Sequence, residues 1–400
     1  MNIIKPAIVI VAYDRTDSLR RLLNSIESAM YSVDDITLII SIDWSEKLNE
    51  VKALADGFCW NHGTKLVRSF ESNQGLRKHV LACGDLSEKY GAVIVIEDDL
   101  VVAEDFYNYA YSAVNYYNGE SNITGIALYS HCWNAHANLP FQPVKSVYDT
   151  YIAQFFVSWG QVWSYSHWKK FRDWYGKNQK LPRTSEIIPD VILGWPETSW
   201  GKYFAYYMAS NNLYFVIPYN SMSTNYHEAG VHSKGASSTH HVPLQHGIKE
   251  YSFVPFNESV KYDIFFERIF ENGLEDYSVK PEDLVVDLNG YRHIPSKKRY
   301  FLSSGEYDYP IIAKYGMKLR PIDENIVRQC EGNAIFLYDL ANSDRNIGNK
   351  KHQISLPRAR FELSGYSWRV LFPLAYRSFK RDLADYIERK LVRKKAHVKK

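Results

Sequence analysis

Three consecutive carboxylates, Glu97-Asp98-Asp99, are the residues of this sequence whose types and spacing best suit chemistry. They directly follow a short apolar run at positions 92–96. Adjacent carboxylates repel one another, which favours a turn, and their oxygens are the ligands that Mg²⁺ or Mn²⁺ prefers beside substrate phosphates. A solvated acidic turn has the same composition, so the interpretation depends on what surrounds the triplet.

The elements around the triplet alternate between apolar runs and amphipathic segments. The runs at 7–12, 36–42, 65–68 and 92–96 predict strands, and the segments at 19–26, 75–90 and 104–117 predict helices. This alternation is typical of an open, mostly parallel α/β sheet, in which ligands bind at the carboxyl ends of the strands. Arg15, Asp43 and the acidic triplet each follow a predicted strand, so we expect them at one edge of the sheet.

Other polar residues at this edge suit a nucleotide. Asp43 could accept a hydrogen bond from a base or a ribose, or it could simply end its strand. Arg15 could reach a phosphate or be a surface charge. Arg77 and Lys78 follow Gly75 at the start of a predicted helix, where the helix N-terminus and the cations both favour phosphate, although a solvated basic turn would look the same.

Composition and charge limit the class of protein. The net charge is +3, yet residues 380–400 contain nine basic and three acidic residues, so the rest of the chain carries −3. This distribution argues against a nucleic-acid-binding fold and favours a basic C-terminal helix that is attracted to an anionic membrane, or a solvated tail. Four scattered cysteines favour a reducing compartment. We expect no signal peptide and no transmembrane helix.

The order of these motifs resembles the A-type-fold nucleotide-diphospho-sugar glycosyltransferases around family 2. It resembles in particular the branch of the N-acetylglucosaminyltransferase that initiates hybrid and complex N-glycans, and, after about residue 253, the accessory region of bacterial surface-polysaccharide transferases. The resemblance covers residues 5–235 and rests on these segments: Val9-Ile10-Val11-Ala12-Tyr13-Asp14-Arg15, Ser41-Ile42-Asp43, Gly75-Leu76-Arg77-Lys78-His79, Val95-Ile96-Glu97-Asp98-Asp99, Ser158-Trp159-Gly160 with Trp163, Trp195-Pro196 with Trp200, and Pro218, Ser221 and Gly230-Val231-His232.

The resemblance implies a role for each of these motifs. Asp99 would hold Mn²⁺ or Mg²⁺, and the donor would be a UDP-sugar. The donor would be bound by Arg15, Asp43, Arg77, Lys78, Glu97, Asp98 and His232, the last in a loop that closes over the nucleotide. Trp195 and Trp200 would form a platform for the acceptor, although core packing is the alternative for both tryptophans. The branch inverts the anomeric centre, so inversion is expected here.

One departure from the family concerns the catalytic base. The family has an Asp after the Trp that matches Trp200, whereas this chain has Gly201-Lys202. An inverting transferase needs a general base for the acceptor hydroxyl. Glu197 is the nearest substitute and would lie near Gly201 if the segment 195–200 were helical; Asp190 is a weaker candidate. The alternative is that Glu197 is only a carboxylate at a helix start.

Together these observations predict a domain organisation and a function. We expect a catalytic domain at 1–254 (a nucleotide-binding half at 1–120, an acceptor half at 121–254), an accessory α+β region at 255–365 and a basic amphipathic helix at 366–400. The expected protein is a cytoplasmic or peripheral membrane transferase of surface polysaccharide biosynthesis that moves a hexosyl or N-acetylhexosaminyl group to a glycan or a lipid-linked glycan. A catalytically dead, sugar-binding scaffold remains an alternative. A sugar nucleotidyltransferase fits less well, because no Gly-rich loop follows the first strand.

Overall fold

The computed structural model describes residues 3–226, 239–341 and 356–398. The strands of these residues are β1 (Ala7–Ala12), β2 (Leu38–Ile42), β3 (Lys65–Ser69), β4 (Ala92–Glu97), β5 (Leu100–Val102), β6 (Ile123–Ala127), β7 (Trp133–Asn134), β8 (Leu139–Pro140), β9 (Thr150–Ala153), β10 (Gln161–Ser164), β11 (Tyr214–Pro218), β12 (Ser223–Asn225), β13 (Lys261–Tyr262), β14 (Leu284–Asp287), β15 (Tyr300–Ser303), β16 (Ile311–Tyr315) and β17 (Ile335–Asp339). The α-helices are α1 (Thr16–Glu27), α2 (Leu48–Gly57), α3 (Gly75–Gly84), α4 (Ser87–Tyr90), α5 (Phe106–Tyr117), α6 (Tyr165–Lys177), α7 (Asp190–Leu193), α8 (Trp200–Ser210), α9 (Glu324–Val327), α10 (Leu356–Leu363) and α11 (Trp368–Val398).

A nine-stranded sheet forms the centre of the molecule, in the order β13-β9-β11-β6-β10-β4-β1-β2-β3. The four strands predicted from the first hundred residues pair in parallel as β4-β1-β2-β3. Strand β10 runs antiparallel between β4 and β6. The predicted mostly parallel α/β fold is therefore confirmed.

Both faces of the sheet are covered by helices, which explains why its strands are continuous apolar runs. Alternate side chains of β1 point to opposite faces. Ile8 and Ile10 belong to the apolar cluster that includes α1, α2 and α5. Val9 and Val11 belong to the cluster that includes α3, α6 and α8.

The predicted helix at 75–90 is interrupted in the structure. Helix α3 ends at Gly84, and the short α4 begins at Ser87. A Cβ at Gly84 would overlap the indole ring of Trp168. The carboxylate of Asp85 accepts hydrogen bonds from Trp168 Nε1 (2.8 Å) and Arg172 Nε (2.9 Å). The residues between α3 and α4 thus contact α6 at the point where the predicted helix is interrupted.

The segment 195–200 is not helical before Trp200, so the condition for placing Glu197 one helical turn from Gly201 is not met. These residues form a turn, and α8 begins only at Trp200. Ser199 ends the turn, because its Oγ accepts a hydrogen bond from the Lys202 backbone N–H (3.4 Å), which is how serine caps a helix N-terminus. Glu197 therefore projects from a turn that precedes α8.

A second sheet of four strands, in the order β14-β15-β17-β16, lies within the predicted accessory region. Strand β13, from the start of that region, instead joins the edge of the large sheet beside β9. The chain divides into two compact units, residues 1–354 and 355–400. The predicted boundary between residues 254 and 255 stays a prediction.

The second unit contains α10 and α11. Helix α11 lies in the segment for which the sequence predicts a basic amphipathic helix, and its amphipathic character stays a prediction. Among the described residues, no helix combines the length and the hydropathy that crossing a membrane requires.

Candidate active site at the carboxyl edge of the large sheet

The carboxyl ends of β4, β1 and β2 lie side by side and form the floor of the candidate site. The backbone N–H of Asp98 donates to the carbonyl of Val11 (3.1 Å), and that of Asp43 donates to the carbonyl of Ala12 (2.9 Å). The backbone N–H of Tyr13 donates to Asp98 Oδ2 (3.3 Å). The parallel register thus places the residues that follow three strands next to one another, as the sequence predicted.

Arg15 is held against the acidic triplet. Its guanidinium forms ion pairs with Asp98 Oδ1 and with Asp99 Oδ2, the second at 3.1 Å. Burial opposes the charged form of Arg15, but the two carboxylates outweigh it and raise the pKa of Arg15. Burial raises the pKa of Asp98 to about 6 against the opposing charge of Arg15. Arg15 therefore compensates part of the triplet's negative charge.

The other two carboxylates differ in ways that bear on a metal. Burial, followed by the charges of Asp99 and Asp98, raises the pKa of Glu97 to about 8. Asp99 Oδ1 is buried and accepts no hydrogen bond in the structure. No group of three or more His, Cys, Asp or Glu residues within the described parts of the chain converges on a metal position. Mg²⁺ sites commonly use one or two carboxylates plus substrate phosphates, so Asp99 fits a divalent cation that is bound together with a nucleotide.

Asp43 has a role within the protein that the sequence did not reveal. Its Oδ1 accepts hydrogen bonds from the backbone N–H groups of Trp44 (2.9 Å) and Gln74 (2.8 Å). Its Oδ2 accepts one from the N–H of Gly75 (2.9 Å), which begins α3. Asp43 is buried and ties the end of β2 to the start of α3. Any contact with a nucleotide would come in addition to these bonds.

The basic start of α3 contains residues with different environments. The Arg77 guanidinium lies 5.3 Å from the ring centre of Tyr203, and Lys78 is exposed. His79 is buried, and its Nε2 is 2.7 Å from Ser41 Oγ. Burial lowers the pKa of His79 to about 4, so the imidazole is neutral near pH 7. Arg77 and Lys78 are thus the cations of this segment that could meet a phosphate.

Glu197 belongs to a polar cluster at the start of α8. Its Oε1 accepts a hydrogen bond from Lys202 Nζ (2.6 Å), and its Oε2 accepts one from the Tyr203 hydroxyl (2.5 Å). These hydrogen bonds, the one from Lys202 first, lower the pKa of Glu197. The carboxylate is ionised and largely exposed, at 68% of its side-chain surface. It therefore has the charge state of a base, although the lowered pKa weakens its proton affinity.

The structure also accounts for the missing family Asp. A Cβ at Gly201 would overlap the ring of Phe156, so a side chain at this position needs Phe156 to move. Lys202 is buried, and its Nζ also donates to the carbonyl of Trp195 (3.1 Å). A packed aromatic ring and a buried ammonium thus stand where a carboxylate was expected.

The remaining predicted residues are spread over different environments. Trp200 is only 3% exposed and packs on Phe156 and Trp163, with ring centres at 5.0 and 5.6 Å, whereas Trp195 is half-buried. Of the two tryptophans, only Trp195 therefore keeps part of its ring accessible to a ligand. The carboxylate of Asp190 lies 2.9 Å from His293 Nε2. His232 lies outside the described residues.

Sequence reasoning overlooked three aromatic residues at this edge. Tyr13 directly follows β1, and Trp44 comes two residues after the end of β2; they are 38% and 42% exposed, so their rings can stack on a nucleobase. The signal was available, since each is an aromatic residue that follows an apolar strand. Tyr226 donates its backbone N–H to the carbonyl of Asp99 (2.9 Å), because β12 pairs with β5; this contact had no signal in the sequence.

Comparisons with known proteins place solved glycosyltransferase structures beside this chain. The mannosyltransferase PcManGT from Pyrobaculum calidifontis, in complex with GDP-Man and Mn²⁺, is 9% identical over 46% of this chain and 49% of its own, with a TM-score of 0.29. TarS 1-349 of S. aureus in complex with UDP-GlcNAc is 11% identical over 58% and 61%, with a TM-score of 0.34. GalNAc-T7 with UDP, GalNAc and Mn²⁺ is 13% identical over 58% and 46%, with a TM-score of 0.36.

This chain spans about half of the mannosyltransferase and of GalNAc-T7, and about three fifths of the TarS fragment. No family model and no curated protein sequence matches it. Because these TM-scores are low, the function proposed below is based on the sheet topology and the side chains of the site and not on these three structures.

Proposed function

We propose that this protein is a metal-dependent glycosyltransferase that moves a sugar from a nucleoside diphosphate, UDP, to a hydroxyl of a glycan or a lipid-linked glycan. The observation that carries the proposal is the buried, unpartnered Oδ1 of Asp99 at the carboxyl edge of a parallel sheet, beside the Arg15 guanidinium. A carboxylate oxygen without a donor suits a cation, and the sheet edge suits a nucleotide.

Each residue at the edge has a proposed role toward the donor. Asp99 would hold Mn²⁺ or Mg²⁺, which offsets the charge of the leaving diphosphate when it is bound. Glu97 and Asp98 would support Asp99 or contact the ribose. The phosphates and the base would be met by Arg15, Arg77, Lys78, Asp43 and His232, with the rings of Tyr13 and Trp44 stacking on the base.

The acceptor side begins at the turn before α8. We propose that Glu197 takes the proton of the acceptor hydroxyl and that Trp195 lies against the acceptor sugar. The hydroxyl oxygen then forms a bond to the anomeric carbon while the bond from that carbon to the diphosphate oxygen breaks, and the nucleoside diphosphate leaves with the electron pair. Attack from the face opposite the leaving group inverts the anomeric centre.

The transferred group is proposed to be a hexosyl or N-acetylhexosaminyl group, in surface polysaccharide biosynthesis. The basic C-terminal segment supports a cytoplasmic, peripheral location at an anionic membrane, where lipid-linked acceptors are found.

The test compares the wild type with Asp99→Asn, in which a neutral amide replaces the carboxylate at the same size. Calorimetric titration with UDP and Mn²⁺ should show metal-dependent binding by the wild type, weakened at least about tenfold in the variant because a charged ligand of the cation is lost. Hydrolysis of UDP-sugars should fall in parallel. Asp56→Asn, at an exposed carboxylate paired with Lys52, is the matched control and should behave as the wild type.

The outcomes separate the proposed function from its alternatives. Metal-dependent UDP binding that is unchanged in Asp99→Asn would contradict the proposed role of Asp99 as the ligand of the cation. Binding by the wild type without turnover of any donor or acceptor would favour the sugar-binding scaffold. Release of diphosphate from a nucleoside triphosphate and a sugar phosphate would instead identify a nucleotidyltransferase.

A further inference from the structure

Helix α11 carries a row of exposed, mostly aromatic side chains on one face. The row, here called the aromatic stripe, consists of Trp368, Phe372, Tyr376, Phe379, Leu383 and Tyr386, each between 45% and 72% exposed. Their spacing of three or four residues keeps them within one sector of the helix, over a length of about 27 Å. Exposed apolar patches of this extent mark an interaction surface.

The chain around the aromatic stripe is strongly basic. Residues 366–400 contain eleven Lys and Arg against three Asp and Glu, a net charge of +8. Two of these cations lie beside rings of the stripe: Arg369 at 5.9 Å from the Trp368 ring centre and Lys380 at 4.8 Å from that of Tyr376. Four of the eleven cations lie within residues 366–386, alongside the stripe, and the other seven follow it at residues 389–400.

We propose that the aromatic stripe inserts into the interfacial layer of an anionic lipid bilayer, with α11 lying in the membrane plane. A long helix with aromatic and Leu side chains on one face and Lys and Arg beside them is the pattern of interfacial helices. Trp and Tyr favour the boundary between headgroups and acyl chains, since their rings are apolar and their N–H and O–H groups remain hydrated. The inference concerns docking alone and does not depend on the proposed transferase activity.

A second copy of the chain is the competing occupant. From Phe372 onward, the alternation of four- and three-residue steps would also suit a pair of helices. Pairing would, however, bring together two segments that each carry a net charge of +8, whereas anionic headgroups complement that charge. Charge complementarity therefore favours the bilayer.

The test measures flotation of the full chain with two kinds of vesicle. One contains phosphatidylcholine alone, and the other contains phosphatidylcholine with about 30% phosphatidylglycerol, an anionic content of the order that attracts polybasic segments. We expect binding to the anionic vesicles. Phe372→Ser with Phe379→Ser should reduce it at least about tenfold, since two buried aromatic side chains are lost. Val370→Ser with Leu374→Ser is the matched control: both residues are exposed, apolar and on another face of α11, and this variant should bind as the wild type.

Two further measurements keep the proposal falsifiable. Quenching by bromine-labelled acyl chains should be smaller in Trp368→Phe than in the wild type, because Trp368 would reach the acyl boundary. Sedimentation without lipid should show the same mass for the wild type and the stripe variant. Equal flotation of the stripe and control variants, or a dimer that only the stripe variant loses, would overturn the proposal. Unchanged thermal unfolding of every variant would show that any loss of flotation comes from the stripe and not from misfolding, whether or not the protein binds UDP.

Discussion

At the residue scale, Glu197 is the position at which a substitution can test the proposed proton transfer without disturbing the core, because its side chain is largely exposed. Its carboxylate accepts hydrogen bonds from Lys202 and Tyr203. Both hydrogen bonds lower the pKa of Glu197, the one from Lys202 more. A base acts only while it is ionised, and a lower pKa extends activity toward acidic pH. Lys202 is therefore expected to set the acidic limb of the pH–rate profile without touching the substrate.

We predict that Lys202→Met raises the pKa of Glu197, because the first of its stabilising hydrogen bonds is lost. The acidic limb of kcat against pH should move to higher pH, while Glu197→Gln should lower kcat by about 10²-fold or more at all pH values. Initial rates of transfer measured between about pH 4 and pH 9, roughly the interval in which carboxyl and imidazole groups titrate, would test both expectations. Glu186→Gln, at an exposed carboxylate in the preceding loop, is the control. Full activity of Glu197→Gln would exclude Glu197 as the base.

At the element scale, the connection between β2 and α3 depends on Asp43. The carboxylate satisfies three backbone N–H groups, two of them at the start of α3, where helix donors have no partner within the helix. The same helix carries Arg77 and Lys78, so the position of these cations depends on the cap. If Asp43 only caps the helix, its replacement should mainly lower the stability of the protein. If Asp43 also contacts the nucleotide, its replacement should in addition weaken UDP binding.

We predict that Asp43→Ala destabilises the protein by about 2 kcal/mol, since three partly buried N–H groups lose their acceptor, and that Asp43→Asn destabilises it less because one oxygen remains. Chemical denaturation measures these losses, and UDP titration of the folded variants measures binding. If Asp43 also contacts the nucleotide, Asp43→Asn weakens UDP binding more than Lys78→Gln does. Unchanged stability of Asp43→Ala would contradict the capping role.

At the scale of the whole first unit, a buried acidic cluster connects the segment after β13 with the segment after β14. Glu267 Oε1 accepts hydrogen bonds from the backbone N–H (2.9 Å) and the Nδ2 (2.8 Å) of Asn289. Burial, followed by the charges of Asp287 and Asp263, raises the pKa of Glu267 to about 8. Asp263 in turn forms an ion pair with Arg292. The protonation of Glu267 is thus linked to the stability of the region that joins the two sheets.

The sign of that linkage follows from the raised pKa. Between its ordinary value of 4.5 and about 8, Glu267 is protonated when folded and ionised when unfolded. The folded state binds one more proton at Glu267 in this window, so the contribution of Glu267 to the free energy of unfolding falls as pH rises, by at most about 1.4 kcal/mol per pH unit. Glu267→Gln should lose this contribution, so its stability should fall less steeply with pH than that of the wild type, although the contribution of Glu97 leaves it pH-dependent. Urea titrations between about pH 5 and pH 9, roughly the window of the raised pKa, would measure the difference. Glu275→Gln, at an exposed glutamate of the same region, should retain the wild-type pH dependence; an identical dependence in Glu267→Gln would refute the linkage.

The first four strands, their parallel pairing and the edge of the candidate site were predictable from the pattern of apolar and polar residues. Strands buried on both faces need continuous apolar runs, and polar residues that follow parallel strands must meet at one edge. Only the tertiary structure decided what those polar residues do. Asp43 caps α3 and Arg15 pairs with the triplet, and both contacts join residues far apart in the chain. Glu197 lies in a turn for a local reason, since Ser199 caps α8. The aromatic stripe differs from these residues, because its spacing along the sequence is enough to place its side chains within one sector of a helix.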